Sequence, residues 1–222
     1  MRMRKKKHGA ERIAACSELL IAPPALPAPN PETYFPVPRP LQLEIGCGKG
    51  DFAVGMAAAH PDENWIAMER VSDVACLALE KAMAAKDTRP DNLRFLIGDA
   101  KNLVDWFPAH CVDTLYLNFS DPWPKAGHAR RRLTHPDFLA IYRRLLVPGG
   151  LLRLKTDNEG LFDFSLEQFA LCGLTVEWMT RDLHHSDRAE GNIMTEYERN
   201  FSEKGQVIYS AWVRFPEVSA CE

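Results

Sequence analysis

From Leu41 onward the chain alternates short β-type runs with amphipathic segments of helical length, and this alternation limits the possible folds more than any other feature. The β-type runs are LQLEIG, NWIAMER, LRFLIGDA, DTLYLNFSD, LLRLKTD, LTVEWMT and QVIYSAWVRF. Strands that alternate with helices form βαβ units and a parallel sheet. The sequence therefore predicts an α/β fold of about seven mostly parallel strands, with helices on both faces and the last strand antiparallel at the edge.

Helices are predicted between these strands, and the one at 135–146 should end at Pro148-Gly149-Gly150. The other predicted helices lie at 51–60, 71–86, 102–107 and 159–173. Before this pattern comes a proline-rich stretch at 22–40, which favours an extended connector. We therefore expect a basic, Pro-rich and partly flexible extension at 1–39, followed by one folded domain at 40–217.

Charge, cysteine spacing and hydropathy narrow the classes of protein. The formal net charge is −3, yet basic residues cluster at Arg2, Arg4, Lys5, Lys6, Lys7 and Arg12, and again at Lys125 and Arg130 to Arg132. Such clusters set the local field that a phosphate backbone meets.

The six cysteines stand singly, so free thiols are expected, with neither a disulfide framework nor a metal site. No apolar run approaches the roughly 18 residues of a membrane span, and no signal-peptide core is present, so a cytoplasmic protein is expected.

The first β-type run leads into a glycine-rich turn, Glu44-Ile45-Gly46-Cys47-Gly48-Lys49-Gly50. Glycines at alternate positions let the backbone turn sharply and approach a ligand closely. The spacing fits neither a phosphate-binding Walker loop nor the G-x-G-x-x-G pattern of dinucleotide binding, although a dehydrogenase stays an alternative that competition by NAD would test. The Glu44 carboxylate would repel a pyrophosphate and attract a cation. S-adenosylmethionine, with its sulfonium and amino groups, is such a ligand.

Two further acids end the next two predicted strands. Glu69 is expected to accept hydrogen bonds from both ribose hydroxyls, and Asp99 one from the adenine amino group. Together with Glu44, Gly46 and Gly48 they form the predicted cofactor site. The glycine turn and its acids resemble those of class I S-adenosylmethionine-dependent methyltransferases, which have a Rossmann-like fold.

The fourth predicted strand ends in Asn118-Phe119-Ser120-Asp121-Pro122-Trp123-Pro124-Lys125. In an open α/β sheet this end faces the ligand crevice, so Asp121 is expected near the transferred methyl group. The two prolines stiffen a loop that offers the broad face of Trp123 for base stacking. The alternative is a rigid turn that packs Trp123 into a core. Lys125 and the run Arg130, Arg131 and Arg132 are expected to contact RNA.

The segments NFSDPWPK and RRRLT, the strand end Lys155 to Asn158, and the run Thr195 to Phe201 together resemble bacterial tRNA (guanine-N7)-methyltransferases, the TrmB family. The resemblance covers about residues 40 to 215. It implies that Asp121 contributes to the cofactor site and that the target is the variable-loop guanine of tRNA. It also implies substrate contacts by Lys125, Asp157, Thr195, Glu196, Tyr197 and Glu198. The stretch Ala126-Gly127-His128-Ala129 is less basic than is usual in that family.

Guanine N7 has an exposed lone pair and no proton, so methyl transfer requires alignment more than a general base. The product ring is cationic, so the Asp121 and Asp157 carboxylates would stabilise developing charge or accept guanine hydrogen bonds. We expect Asp121 to be the main catalytic residue, with no metal ion, and the protein to be a monomer or homodimer. Two alternatives stay open, a methyltransferase for another base or a small molecule, and an RNA-binding module without turnover. Cofactor titration would distinguish the binding module from an enzyme.

Overall fold

The computed structural model describes residues 7–21, 31–85 and 91–217. The chain divides into two compact units, one ending at Pro108 and the other beginning at Ala109. The basic residues at positions 2 to 6, the four prolines at 22–30 and Cys221 lie outside the described residues. Their predicted roles stay predictions.

The first unit contains a parallel sheet with the strand order β1-β4-β3-β2. Its elements are α1 (Gly9–Ala14), β1 (Leu20–Ile21), β2 (Leu41–Ile45), α2 (Asp51–Ala59), β3 (Asn64–Glu69), α3 (Ser72–Ala84), β4 (Leu93–Ile97) and α4 (Leu103–Trp106). The predicted strands at 41–46, 64–70 and 93–100 are confirmed, as are the helices that follow each of them.

The strands of this unit are buried along most of their length, as their continuous apolar runs predict for a parallel sheet. All five residues of β2 are buried, and Trp65 and Ile66 of β3 are fully buried. Gly50 at the start of α2 has φ +82°, and a Cβ there would lie 3.0 Å from the Cβ of Ala78. Only glycine therefore allows α2 to begin so close to α3.

Residues ahead of the predicted domain start also belong to this unit. Arg12 of α1 donates two hydrogen bonds of 2.6 Å to the Glu80 carboxylate on α3. The two-residue strand β1 pairs in parallel with β4, with Leu20 beside Phe95. Part of the predicted N-terminal extension is thus an element of the folded unit. A strand of two residues has no readable periodicity, so the sequence pattern did not predict it.

The strands of the second unit have the order β5-β6-β8-β7. The β5–β6 pair is parallel, and the β6–β8 and β8–β7 pairs are antiparallel. Its elements are β5 (Val112–Asn118), α5 (Pro136–Leu145), β6 (Leu146–Thr156), α6 (Glu159–Leu171), β7 (Thr175–Thr180), α7 (Glu196–Ser202) and β8 (Tyr209–Arg214). The last strand is antiparallel as predicted, but its predicted place at the edge is wrong, because β8 pairs with β6 on one side and with β7 on the other. The helix α7 was not predicted.

The helix α5 ends before Pro148-Gly149-Gly150 as predicted, but the strand does not wait for these residues, because β6 begins at Leu146 and includes all three. The register with β5 shifts between Val112 and Thr114, which marks an irregularity opposite this segment. A Cβ on Gly150 would lie 2.9 Å from the Val147 carbonyl oxygen. Glycine is therefore required where the strand bends.

The core of the second unit lies under α5 and α6. Tyr142 of α5 and both Phe162 and Phe169 of α6 are fully buried. The Phe162 ring stacks on Tyr209 of β8, with centroids 5.3 Å apart. Asn158 caps α6 by accepting a 2.8 Å hydrogen bond from the Leu161 amide. This cap sets the start of α6 directly after the end of β6.

Candidate functional site

The glycine turn after β2 adopts backbone conformations that side chains rarely tolerate. Gly46 and Gly48 have φ of +82° and +56°. A Cβ on either residue would meet no atom within 4 Å, so the backbone of the turn borders open space. The amides of Gly46 and Cys47 both donate to the Met68 carbonyl, at 2.8 and 2.9 Å, which fixes the turn against β3. The turn therefore exposes bare backbone to open space, as a close approach of a ligand would require.

Glu69, the last residue of β3, is locked onto this turn. Its Oε2 accepts a hydrogen bond from the Gly48 amide at 3.1 Å, and its Oε1 accepts one from the Val71 amide at 2.8 Å. A carboxylate has about four lone-pair sites, so two bound amides leave capacity for the two hydroxyls of a ribose. The predicted ribose contact thus has a carboxylate whose orientation is already set.

The field at the turn is negative. The Glu44 side chain on β2 is buried, with 1% of the residue exposed. Burial raises the pKa of the adjacent Cys47 thiol well above its usual value, and the Glu44 and Glu69 carboxylates raise it further. A second anion at this turn, such as a pyrophosphate, would meet the same repulsion. The turn therefore favours a cationic ligand over a dinucleotide.

Asp99 follows β4, which is the parallel neighbour of β3. The carboxyl ends of β2, β3 and β4 therefore bring Glu44, Glu69 and Asp99 to one edge of the sheet. The Asp99 Oδ1 accepts a 3.0 Å hydrogen bond from the Lys101 amide and caps a 3-10 helix. Its Oδ2 lies 4.0 Å from the Arg70 guanidinium. One carboxylate oxygen is thus used for capping, and an adenine amino group would have to share the other with Arg70.

These features fit S-adenosylmethionine. The space beside Gly46 and Gly48 is open, and the buried Glu44 would supply negative charge for the amino and sulfonium groups of such a ligand. The oriented Glu69 suits a ribose. Within residues 7–21, 31–85 and 91–217 no group of His, Cys, Asp and Glu residues could hold a metal ion. None of the five cysteines in these ranges forms a disulfide bond there.

In the second unit, Asp121 lies exposed in the loop that follows β5. Two aromatic residues of this loop have left-handed backbones, Phe119 with φ +54° and Trp123 with φ +41°. Such conformations are strained for bulky residues, and strain of this kind is common in loops that hold a functional geometry. The Phe119 amide donates a 2.8 Å hydrogen bond to the Lys155 carbonyl, which ties the loop to the end of β6.

The three arginines of the predicted RNA-binding run differ in their surroundings. Arg132 donates hydrogen bonds to the carbonyl oxygens of Pro122 and Trp123, at 3.0 and 3.1 Å. The Arg131 guanidinium lies 4.8 Å from the centroid of the Trp123 ring. Arg130 is exposed, as is Lys125. Arg132 therefore holds the loop together, while Arg130 and Lys125 are presented to solvent.

Trp123 is not packed into a core. It is half-buried, and the His128 ring meets it edge-on at a centroid distance of 5.7 Å. The Arg131 and His128 side chains that contact its ring both lie in the following 3-10 helix at Ala126–Arg131. The interpretation of this segment as a turn anchored by a buried tryptophan is therefore wrong.

The predicted substrate contacts in α7 separate into internal and exposed residues. The Thr195 hydroxyl accepts a 2.9 Å hydrogen bond from the Glu198 amide and caps the helix. Glu198 is fully buried. Tyr197 is 41% exposed, and its hydroxyl donates to Oδ2 of Asp157 at 3.1 Å. The structure brings Tyr197 and Asp157 together, whereas Thr195 and Glu198 have partners inside the protein.

The sequence did not reveal the partners of Glu198. Its Oε2 accepts a 2.7 Å hydrogen bond from Lys155, and its Oε1 accepts from His184 at 3.0 Å and from Asn192 at 2.7 Å. The one available signal was a lysine near the end of the predicted strand LLRLKTD, since a lysine that becomes buried requires an acidic partner.

Comparison with known proteins indicates a methyltransferase, in agreement with the geometry of the glycine turn and its acids. A family model described as a putative methyltransferase matches residues 38–211. The tRNA (guanine-N(7)-)-methyltransferase of Limosilactobacillus fermentum is 43% identical over 216 residues, which are 97% of this chain and 99% of that protein. The enzyme of the same name from Limosilactobacillus reuteri is 44% identical over 215 residues, 97% of this chain and 100% of that protein.

Among solved structures, the 16S rRNA methyltransferase KamB is similar in fold, with a TM-score of 0.59 at 15% identity. That match covers 80% of this chain and 88% of KamB. The fold and the glycine turn with its acids define a class I methyltransferase with a Rossmann-like α/β architecture, as predicted. The identity to curated relatives over nearly the whole chain is more specific. The chain belongs to the tRNA (guanine-N(7)-)-methyltransferase family.

Proposed function

We propose that this protein transfers a methyl group from S-adenosyl-L-methionine to N7 of a guanine in tRNA, and that the target is the variable-loop guanine. The observation that carries the proposal is the 43% to 44% identity with tRNA (guanine-N(7)-)-methyltransferases over 97% of the chain. We propose that the reaction takes place in the cytoplasm. None of the helices in the described residues is long and apolar enough to cross a membrane.

The cofactor is assigned to the turn after β2. Glu44, Gly46, Gly48, Glu69 and Asp99 would hold it, in the roles that their positions support. When bound, S-adenosylmethionine supplies a methyl group on a positively charged sulfur. The protein's task is to hold the acceptor nitrogen in line with that group, because N7 carries a lone pair and needs no deprotonation.

The acceptor is assigned to the loop after β5 and to the Asp157–Tyr197 pair. Asp121 is proposed as the catalytic residue and as a further cofactor contact, since its exposed carboxylate stabilises the positive charge that develops as guanine is methylated. Asp157 would accept hydrogen bonds from the N1 and N2 donors of the guanine. Lys125 and Arg130 would bind phosphates of the tRNA backbone.

A substrate analogue tests which atom is methylated. A tRNA transcript with 7-deazaguanosine in the variable loop lacks the N7 lone pair but keeps the base-pairing edge of guanine. We expect labelled methyl transfer to the unmodified transcript and none to the analogue, with similar affinity for both RNAs. Equal transfer to both transcripts would place the methyl group on another atom.

A further inference from the structure

The buried ion pair of Lys155 and Glu198 joins the two segments that carry the proposed guanine contacts. Lys155 lies near the end of β6, two residues before Asp157, and Glu198 follows Tyr197 directly on α7. The pair is buried, with exposed side-chain fractions of 8% for Lys155 and 0% for Glu198. The Asp157–Tyr197 hydrogen bond is a second, exposed link between the same two segments.

This ion pair is embedded in a network that also fixes the loop before α7. The Lys155 ammonium donates to the Asn192 side-chain oxygen at 3.1 Å and to the Ile193 carbonyl at 3.0 Å. His184 and Asn192 donate to the other oxygen of Glu198. An ionised carboxylate only accepts hydrogen bonds, so Nε2 of His184 carries the proton in this contact. The Glu198 carboxylate thus has three donors, and guanine has no access to it.

A buried, fully satisfied ion pair adds little stability over apolar residues, but its charges accept only one arrangement. It therefore constrains geometry more than it stabilises the fold. Here the ion pair constrains the position of α7. Within this helix the Tyr197 ring also stacks on the Phe201 ring, with a centroid distance of 4.2 Å. The hydroxyl of Tyr197 is consequently held toward Asp157.

We propose that Lys155 and Glu198 are positioning residues for methyl transfer, which hold α7 against β6 so that Tyr197 and Asp157 meet the guanine as one hydrogen-bonded unit. The inference rests on the proposed function for its catalytic consequence. Glu198 acts through Tyr197 and does not touch the base, which differs from the substrate contact implied by the family resemblance. His184 and Asn192 support the same geometry. Burial and the Asp157 carboxylate raise the pKa of Tyr197 to about 12, in agreement with a hydroxyl that keeps its proton for this bond.

The test replaces both charges at once, in the variant Lys155→Met/Glu198→Leu. Either single change leaves an unpaired buried charge, whereas the double change keeps the volume and leaves none. We expect a folded protein with unchanged affinity for S-adenosylmethionine. Its kcat on tRNA should fall by about 10- to 100-fold, as expected for a misplaced contact, with a smaller change in KM. The control is Arg181→Met/Asp163→Asn, which removes an exposed ion pair of 2.6 Å in the same unit and should leave kcat unchanged.

A second readout does not depend on activity. The ¹³Cζ resonance of Tyr197, assigned by its loss in Tyr197→Phe, reports the hydrogen bond to Asp157. It should move in Lys155→Met/Glu198→Leu toward the position found in Asp157→Asn, and stay in place in the control. If the wild-type protein methylates no tRNA, the proposed function fails, while this resonance still decides whether the ion pair positions Tyr197.

Additivity shows whether the pair works through Tyr197. Tyr197→Phe alone alters an exposed side chain and should fold normally, with a loss in kcat. Adding it to Lys155→Met/Glu198→Leu should reduce kcat no further, because both changes remove the same interaction. A wild-type kcat in the double variant or in Tyr197→Phe, an unmoved resonance, or fully additive losses would each overturn the proposal. If the double variant does not fold, the same kcat and Tyr197 resonance are measured in Asn192→Ala, which removes an acceptor of Lys155 and a donor to Glu198; wild-type values for both would overturn the proposal.

Discussion

Replacing Glu69 by alanine should weaken cofactor binding and leave the fold in place. In the structure the carboxylate accepts amide hydrogen bonds from Gly48 and Val71, at 3.1 and 2.8 Å. The Val71 contact is exposed and the Gly48 contact is partly buried, so water can replace both at a cost of about 1 kcal/mol in stability. The larger effect is the loss of the charge-assisted contact with the ribose.

A charge-assisted hydrogen-bonding contact contributes about 1.5–3 kcal/mol, which corresponds to a loss of roughly 10- to 100-fold in affinity. Calorimetric titration of Glu69→Ala with S-adenosylmethionine measures it. The affinity of Glu69→Gln for S-adenosylmethionine should fall between those of the wild-type protein and Glu69→Ala, because an amide keeps one acceptor oxygen and lacks the charge. Asp62→Ala is a matched control, since this exposed acid precedes β3 at its opposite end. Unchanged affinity in Glu69→Ala would refute the assignment of the ribose to this turn.

Four further predictions concern the second unit. Asp121→Ala should fold normally and lose more than about 100-fold in turnover, and a rate within about threefold of wild type would refute its catalytic role. Arg130→Ala should weaken tRNA binding and lower the log–log salt slope by somewhat under one unit at unchanged stability, as measured by filter binding at several salt concentrations. Arg132→Ala should instead destabilise the protein by about 1–3 kcal/mol in denaturant unfolding, because it loses two hydrogen bonds to loop carbonyls. Equal stability of Arg130→Ala and Arg132→Ala would contradict the assignment of a structural role to Arg132 alone. Burial raises the pKa of Glu198, but the charge and hydrogen bond of Lys155 outweigh it and hold that pKa below its usual 4.5. The stability this pair contributes is therefore complete above about pH 4.5 and lost as the pH falls through the lower folded-state pKa, so unfolding free energies measured against pH should show an acid loss that Lys155→Met/Glu198→Leu lacks.

The sequence predicted the strand ends of the proposed cofactor site well because the information for them is local. The turn at Gly46 and Gly48 is contiguous with its strand, and Glu69 and Asp99 end the next two parallel strands. Strand ends in a parallel sheet share an edge, so this constellation follows from the strand pattern alone. What the pattern did not give is that Asp99 also caps a 3-10 helix, because the cap depends on the local path of the chain.

The substrate side was predicted less completely because its contacts are distant in sequence. Lys155 and Glu198 are 43 residues apart, and nothing in the local pattern around either residue pairs them. A sequence motif groups Thr195 with Glu198, while the fold directs both into internal hydrogen bonds and leaves Tyr197 exposed. Likewise, the arginine run reads as three equivalent charges, but only the folded loop shows that Arg132 binds its carbonyls.

The β6 strand shows how tertiary pairing overrides local signals. Pro148 and two glycines are unfavourable in regular strands, so the pattern predicted a break. Pairing with β5 at Leu146 and again from Leu151 to Lys155, and with β8 from Leu151 to Thr156, nevertheless carries the strand past these residues. The irregular register opposite Gly150 accommodates these residues. Such an irregularity depends on neighbouring strands and has no signature within the segment itself.

Mass analysis of nucleosides is the most direct test of the central claim. Unmodified tRNA is incubated with the purified protein and isotopically labelled S-adenosylmethionine, digested to nucleosides and separated against standards. We predict labelled N7-methylguanosine as the methylated product, mapped to the variable loop, and its loss with Asp121→Ala. A label on any other nucleoside, or no label in RNA despite cofactor binding, would contradict the assignment of this chain as a tRNA guanine-N7 methyltransferase.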